Sequence, residues 1–244
     1  MRQNRNERTV SDFRHLRIGE RYMRKSELSE KMIATDLTIG HTQEQVREFV
    51  EKAVHYGLYG VCVFQNMVKT AVDTAQGRLK VCTVTGYPSG IDVPATKIAD
   101  AFFSSKSGAD EIDIGVNLSA VKSDDKETVI EELKETAGLI HVEGAALFAV
   151  LNTYQLEEPE ISELVRLCEE CGADGLKTTS GDSVIPRKTT AEDVKKIRCA
   201  LQKKLPVKAE GLIETEKEAL DLLEAGADIV CSSRAFEILD AIND

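Results

Sequence analysis

From about residue 32 to its end, this 244-residue chain alternates short apolar runs with longer amphipathic segments, and that alternation restricts its fold more than any other feature. The apolar runs cover 32–38, 60–64, 80–87, 111–116, 146–153, 175–181, 205–211 and 229–233. Between them lie stretches such as 43–57 and 191–204, with apolar residues three and four apart and charges on the other face. That is helical periodicity. Strands separated by helices pair in parallel, because parallel neighbours need a long crossover. Eight strands are the number that closes a single (β/α)8 (TIM) barrel, and the chain length matches the roughly 250 residues typical of that fold. An open doubly wound sheet is the alternative. Against it, the first run is not followed by a G-x-G-x-x-G turn, and no shift in composition divides the chain.

Three helical patterns end in the same step: Gly108-Ala109-Asp110, Gly172-Ala173-Asp174 and Gly226-Ala227-Asp228. Glycine there supplies a left-handed C-cap and lets the chain drop into the next strand. The expected organisation is a basic N-terminal extension over 1–30 followed by an α/β barrel domain over 31–244.

Composition removes several classes of function. With 42% hydrophobic and 30% charged residues, the chain reads as a soluble globular protein. No apolar run approaches the ~20 residues of a membrane span. The N-terminal segment lacks the apolar stretch of a secretory signal, so a cytoplasmic protein without membrane contact is expected. A net charge of −11 and a pI near 5.0 argue against a nucleic-acid partner, which needs a basic footprint. Residues 1–25 hold eight Arg or Lys against three acids and are read as a solvated arm. Cys62, Cys82 and Cys231 sit in strand-like runs as small hydrophobes. Cys168 and Cys171 have CxxC spacing within a helical pattern and are read as structural. His15, His41, His55 and His141 fall in the arm, a loop and helices, so no metal site is expected.

In a barrel the chemistry gathers where strands end and the following loops begin. The polar residues at those places are Asp36, Thr38, Thr85, Asp113, Asn117, Asn152, Lys177, Thr179, Ser180, Lys208, Glu210, Ser232 and Ser233. Lys177 and Lys208 each interrupt a short apolar strand, and lysine is seldom buried unless paired or functional. Consecutive strands lie ~4.8 Å apart, so two inward lysines come close. A second ammonium about 4 Å away costs roughly 4 kcal/mol at an effective dielectric near 20. That is about three pKa units. Lys177 is therefore expected to titrate near neutrality, as a Schiff-base nucleophile must. Asp113, inside Glu111-Ile112-Asp113-Ile114, is expected to face inward and shuttle protons. A purely structural salt bridge between Asp113 and one lysine stays open at this point.

The strand sequences resemble those of the 2-deoxyribose-5-phosphate aldolase family. The similar stretches include Asp36-Leu37-Thr38, Val81-Cys82-Thr83-Val84, Tyr87-Pro88-Ser89-Gly90, Gly108 to Asp113, Leu176-Lys177-Thr178, Val207-Lys208-Ala209 and Ser232-Ser233. They run in order over about residues 32–240. The resemblance implies a class I aldolase without metal or cofactor. It reversibly cleaves 2-deoxyribose 5-phosphate to acetaldehyde and glyceraldehyde 3-phosphate. It implies a Schiff base on Lys177, with Lys208 tuning its pKa and Asp113 relaying protons through a bound water. Asp36 and Thr38 would contact substrate, while Ser180, Gly211, Ser232 and Ser233 would hold its phosphate. The chain departs from the family pattern in several places. Leu212 stands where a second glycine is expected, and Asp182 adds an acid. Phe148 and Asn152 replace a charged pair. Glu210 replaces a small residue and, facing inward, is expected to pull against Lys208. Two other readings follow: the same chemistry on a different, unphosphorylated aldehyde, or a non-catalytic ligand- or partner-binding barrel. A homodimer is the default assembly.

Overall fold

The computed structural model describes residues 16–18, 21–181 and 186–242. An antiparallel hairpin of β1 (Leu16–Ile18) and β2 (Arg21–Met23) precedes a short helix, α1 (Lys25–Ser29). The barrel strands follow: β3 (Met32–Asp36), β4 (Gly60–Val63), β5 (Lys80–Thr85), β6 (Glu111–Gly115), β7 (Ala146–Val150), β8 (Gly175–Lys177), β9 (Val207–Glu210) and β10 (Ile229–Ser232). Each pairs in parallel with its sequence neighbour, and β10 returns to β3 to close the ring. The helices between them are α2 (Gln43–His55), α3 (Val68–Ala75), α4 (Pro94–Lys106), α5 (Leu118–Lys122), α6 (Lys126–His141), α7 (Glu158–Cys171), α8 (Ala191–Ala200) and α9 (Glu216–Glu224), with α10 (Ala235–Asp240) last.

This is the expected TIM barrel, and every predicted run contains one barrel strand. Several runs overshoot at their C-terminal ends. The segment 175–181 gives only Gly175–Lys177, because the chain beyond Lys177 leaves the ladder while staying buried. There the Thr178 hydroxyl donates to the Glu210 carbonyl (3.0 Å), and Asn152 takes up the donors of the next two residues. One backbone bond still reaches β9, from the Thr178 N–H to the Lys208 carbonyl (3.0 Å), and beyond it the Asn152 side chain takes the place of a neighbouring strand.

Helix starts follow local chemistry. Thr42, Thr190 and Thr215 cap α2, α8 and α9, each answered three residues on by Gln45, Asp193 or Glu218. Asn117, one of the polar strand-end residues, caps α5 by accepting from the Ala120 N–H (3.2 Å), so its role is in the frame.

The Gly-Ala-Asp steps do more than cap. Gly108, Gly172 and Gly226 take positive φ values of 96°, 89° and 113°. The aspartate that follows accepts from an amide in the first two residues of the preceding strand: Asp110 from Val81 (2.9 Å), Asp174 from Leu147 (2.8 Å) and Asp228 from Val207 (2.8 Å). Each aspartate's own N–H returns a bond to the same residue's carbonyl. Three seams at the floor of the barrel are closed this way.

Apolar packing forms two separate cores. The larger lies between sheet and helices and includes Leu28 of α1, while the Ser29 carbonyl accepts from the Tyr59 N–H. Residues just before 31 are thus packed onto the barrel. The smaller core fills one side of the barrel interior with Ile33, Cys62, Cys82, Val84, Ile229 and Cys231. Cys168 and Cys171 are buried in the outer core. No helix among the described residues is long and apolar enough to cross a membrane. Residues 1–15 and 19–20, most of the basic arm, lie outside the described residues, as does Asp182.

Candidate active site

The other side of the barrel interior, lined by β6 to β9, is charged. Strand alternation turns Glu111 and Asp113 of β6, Lys177 of β8, and Lys208 and Glu210 of β9 inward. All five are buried, and Lys177 and Lys208 are neighbours in the ladder register. Asp113 bridges them: one carboxylate oxygen lies 2.7 Å from the Lys177 amine, the other 2.7 Å from the Lys208 amine. Lys208 also pairs with Glu111 (2.8 Å) and sits 3.7 Å from the centre of the Phe148 ring. That ring face attracts a cation. Gly175 makes room for it, since a Cβ there would come within 2.2 Å of the ring. Glu111 in turn accepts from the Tyr59 hydroxyl (2.5 Å) and the Cys82 thiol (3.3 Å).

Glu210, expected to engage Lys208, contacts Lys177 instead. It lies two residues nearer the barrel mouth than Lys208, and strand tilt in a closed barrel staggers inward side chains between neighbours. This pairing overturns the expected ionisation. Burial alone lowers the pKa of Lys177, but Asp113 and Glu210 outweigh it and hold the amine well above the ordinary lysine range. Lys208 moves the same way: burial lowers it, Asp113 raises it more. In this arrangement Lys177 is an ammonium, not the neutral amine expected from its lysine neighbour. Two lysines facing three carboxylates explain the difference. Burial pushes Asp113 upward, yet the two lysines prevail and hold it below the usual carboxylate range. For Glu210 burial prevails, and its carboxyl stays raised despite Lys177. Burial likewise lifts the Cys62 thiol to about 12, so it is no nucleophile.

Above this cluster, at the C-terminal mouth, lies a cavity of about 450 Å³. Asp36, Thr38, Ser180, Gly211, Ser232 and Ser233 all line it, together with Glu210. Lys177 and Asp113 line an adjoining crevice of about 10 Å³, which shares Tyr87 and Ser180 with the larger space. Every predicted site residue is therefore at this end of the barrel or directly beneath it.

Several of their polar atoms have local partners. Asp36 accepts from the Thr38 N–H (3.1 Å) and pairs with His41 (2.7 Å). The Ser232 hydroxyl donates to the Ile213 carbonyl (2.6 Å) and accepts from the Arg234 N–H (2.9 Å). Asn152 accepts from the Ser180 N–H (3.0 Å) and the Thr179 hydroxyl (3.1 Å), so it shapes the loop after β8. Gly211 has φ +126°, and a Cβ there would meet the Thr179 and Thr189 side chains at 2.7 Å. Leu212, where glycine was expected, adopts φ +48°, a left-handed conformation that a branched side chain disfavours.

Glu111 and the Arg234–Glu214 pair (3.1 Å) escaped sequence reasoning, and Phe148 and Tyr87, though noticed there, were not placed in the site. Glu111 could have been found, since it shares strand parity with Asp113. Arg234 lies past the last strand and gave no periodic signal. Among the described residues, no group of three or more His, Cys, Asp or Glu is arranged to hold a metal.

The profile of the DeoC/LacD family aldolases matches residues 23–233. The chain belongs to this family. It is accordingly a class I aldolase, an aldehyde-lyase. It is 37% identical over 203 residues to the deoxyribose-phosphate aldolase of Aquifex aeolicus, covering 82% of this chain and 89% of that relative. It is 32% identical over 225 residues to the enzyme of that name from Thermococcus kodakarensis, covering 91% and 100%. Among solved structures, the aldolase QR15 superposes with a TM-score of 0.82 at 35% identity, covering 88% of this chain and 95% of the other. A tetrameric deoxyribose phosphate aldolase from Aeropyrum pernix gives 0.80 at 26%, covering 89% and 91%.

Proposed function

We propose that this chain cleaves 2-deoxyribose 5-phosphate reversibly to acetaldehyde and glyceraldehyde 3-phosphate, through a Schiff base on Lys177. One observation carries the reading: the Lys177 amine lies between two carboxylates beside a cavity lined by every predicted substrate-binding residue. Once deprotonated, Lys177 attacks the substrate carbonyl. Asp113, within hydrogen-bond reach of the amine, passes protons as iminium and enamine interconvert. Lys208 holds Asp113 in place and keeps its carboxylate ionised. The iminium is the electron sink that makes breaking the sugar C–C bond feasible.

The test is to incubate the protein with acetaldehyde, reduce with borohydride and map the adduct by mass spectrometry. Attachment at Lys177 is the expected result, and attachment elsewhere overturns the assignment.

A second reading, an unphosphorylated acceptor, draws on the charge around the cavity. Asp36, Glu210, Glu214 and Glu237 line it with Arg234, which is already paired to Glu214. A dianionic phosphate is less at home there than a neutral hydroxyaldehyde. Comparing kcat/KM for deoxyribose 5-phosphate and deoxyribose separates the two.

A further inference from the structure

We infer that Glu210 is a further catalytic residue, the base that removes the proton from Lys177 and the acid that expels water from the carbinolamine. The inference rests on the Schiff-base reading of Lys177 and deepens it.

Two carboxylates contact the Lys177 amine and favour its ammonium form, so something must take its proton before it can attack. Asp113 is poorly suited to that first step, because it is shared with Lys208 and both lysines favour its anion. Glu111 is engaged by Lys208, Tyr59 and Cys82. Glu210 differs in two respects. Its carboxylate touches the Lys177 amine, and it borders the large cavity, whereas Asp113 borders only the narrow crevice. It therefore stands between the nucleophile and the space from which a carbonyl arrives.

The groups around Glu210 define its proton affinity. Lys177 on β8 and Lys208 on β9 favour its anion, while Asp113 on β6 opposes it. Cys62 on β4 and Cys231 on β10 also face the cluster, and burial keeps both thiols protonated. Burial prevails at Glu210, and a buried ammonium–carboxylate pair can relax to amine and carboxylic acid when its charges are poorly solvated. A neutral pair also separates more readily than an ion pair, which frees Lys177 for an arriving aldehyde.

The steps balance. The Glu210 carboxylate takes a proton from the Lys177 ammonium. The amine lone pair forms a C–N bond to the aldehyde carbon as the carbonyl π electrons move to oxygen. Glu210 gives its proton to that oxygen and then takes one from nitrogen, leaving a neutral carbinolamine. It returns this proton to the hydroxyl, the C–O bond breaks, and water leaves behind an iminium beside a carboxylate. The product keeps the single positive charge that Lys177 began with.

The test is the rate of borohydride-trapped adduct at Lys177 with acetaldehyde, followed from pH 6 to 9 in wild type, Glu210→Gln and Glu210→Ala. Glutamine keeps the shape but carries no exchangeable carboxyl proton. Its trapping rate at pH 7 should fall about a hundredfold, the low end for general acid–base catalysis. It should then climb with pH far more steeply than wild type, because deprotonation passes to hydroxide. Glu210→Ala should be rescued by added formate, and Glu210→Gln, with its site filled, should not. A Gln variant that traps as fast as wild type or faster, with the wild-type pH profile, overturns the inference and makes Glu210 a restraint on Lys177. Absence of a Lys177 adduct in wild type instead removes the underlying Schiff-base reading.

Discussion

Lys97 and Lys177 are both buried to the amine, yet their surroundings put them to different uses. Lys97 lies on α4, outside the barrel ring. Its amine donates to the carbonyls of Gly90 and Gly115, each at 2.8 Å, and pairs with the buried Glu132 of α6. Two of its three partners are backbone oxygens that cannot accept a proton in any useful range. Burial lowers Lys97 and raises Glu132, each only partly offset by the other. Lys97 lines neither the mouth cavity nor the crevice beneath it. It pins the loop carrying Tyr87 and the end of β6. The ion-pair partners of Lys177 are carboxylates, and it borders the crevice beneath the mouth cavity. A buried lysine is thus no sign of chemistry by itself; partners able to exchange its proton, and access for a carbonyl, make the difference.

The largest expected break in that contrast comes from Lys177→Leu. Turnover should drop on the order of 10⁴-fold or more, as for a lost nucleophile. The circular dichroism spectrum should stay native, because burial already favours the neutral form of Glu210, which can take up a proton once Lys177 is gone. Lys97→Met should do the reverse. It strands a buried carboxylate and two carbonyls and should cost about 3–5 kcal/mol in denaturant unfolding. Turnover per folded molecule should stay within about tenfold of wild type. If Lys97→Met instead abolishes adduct formation in folded protein, the two lysines are not separable.

Adding Glu132→Leu to Lys97→Met removes the stranded charge and should return most of the lost stability, to within ~2 kcal/mol of wild type. Failure of that rescue would show that the carbonyl bonds, not the ion pair, dominate. The smallest effect belongs to Leu212→Gly at the mouth. Relief of the left-handed strain, opposed by glycine's greater freedom when unfolded, should raise stability by no more than ~1 kcal/mol. Its sharper readout is the kcat/KM ratio of phosphorylated to unphosphorylated sugar, which should rise if that side chain crowds the phosphate.

Much of this was legible in the sequence, because strand and helix periodicities differ and the eight runs kept theirs. Lys177, Lys208 and Asp113 were visible because a charge inside an apolar strand run is rare. Lys97 escaped because lysine on a helix is ordinary, and only packing of α4 against α6 shows that it faces inward. The inward direction of Glu210 followed from strand parity. Its choice of Lys177 over Lys208 did not, since that depends on the stagger of a closed barrel. The protonation of Lys177 was misread for a related reason: one neighbouring ammonium was counted, while the carboxylates completing the cluster come from two different strands. Asn117 could have been recognised as a helix cap, had the residues after it been read as a short helix.

The aspartates of the three Gly-Ala-Asp steps hem the underside of the ring at β5/β6, β7/β8 and β9/β10. None of these stitches borrows an atom from the loops above. Loops such as those holding Leu212 and Arg234 can therefore drift in sequence, and the lining of the mouth with them, while the hem keeps the ring in register. An enzyme sewn like this can change its diet without unravelling.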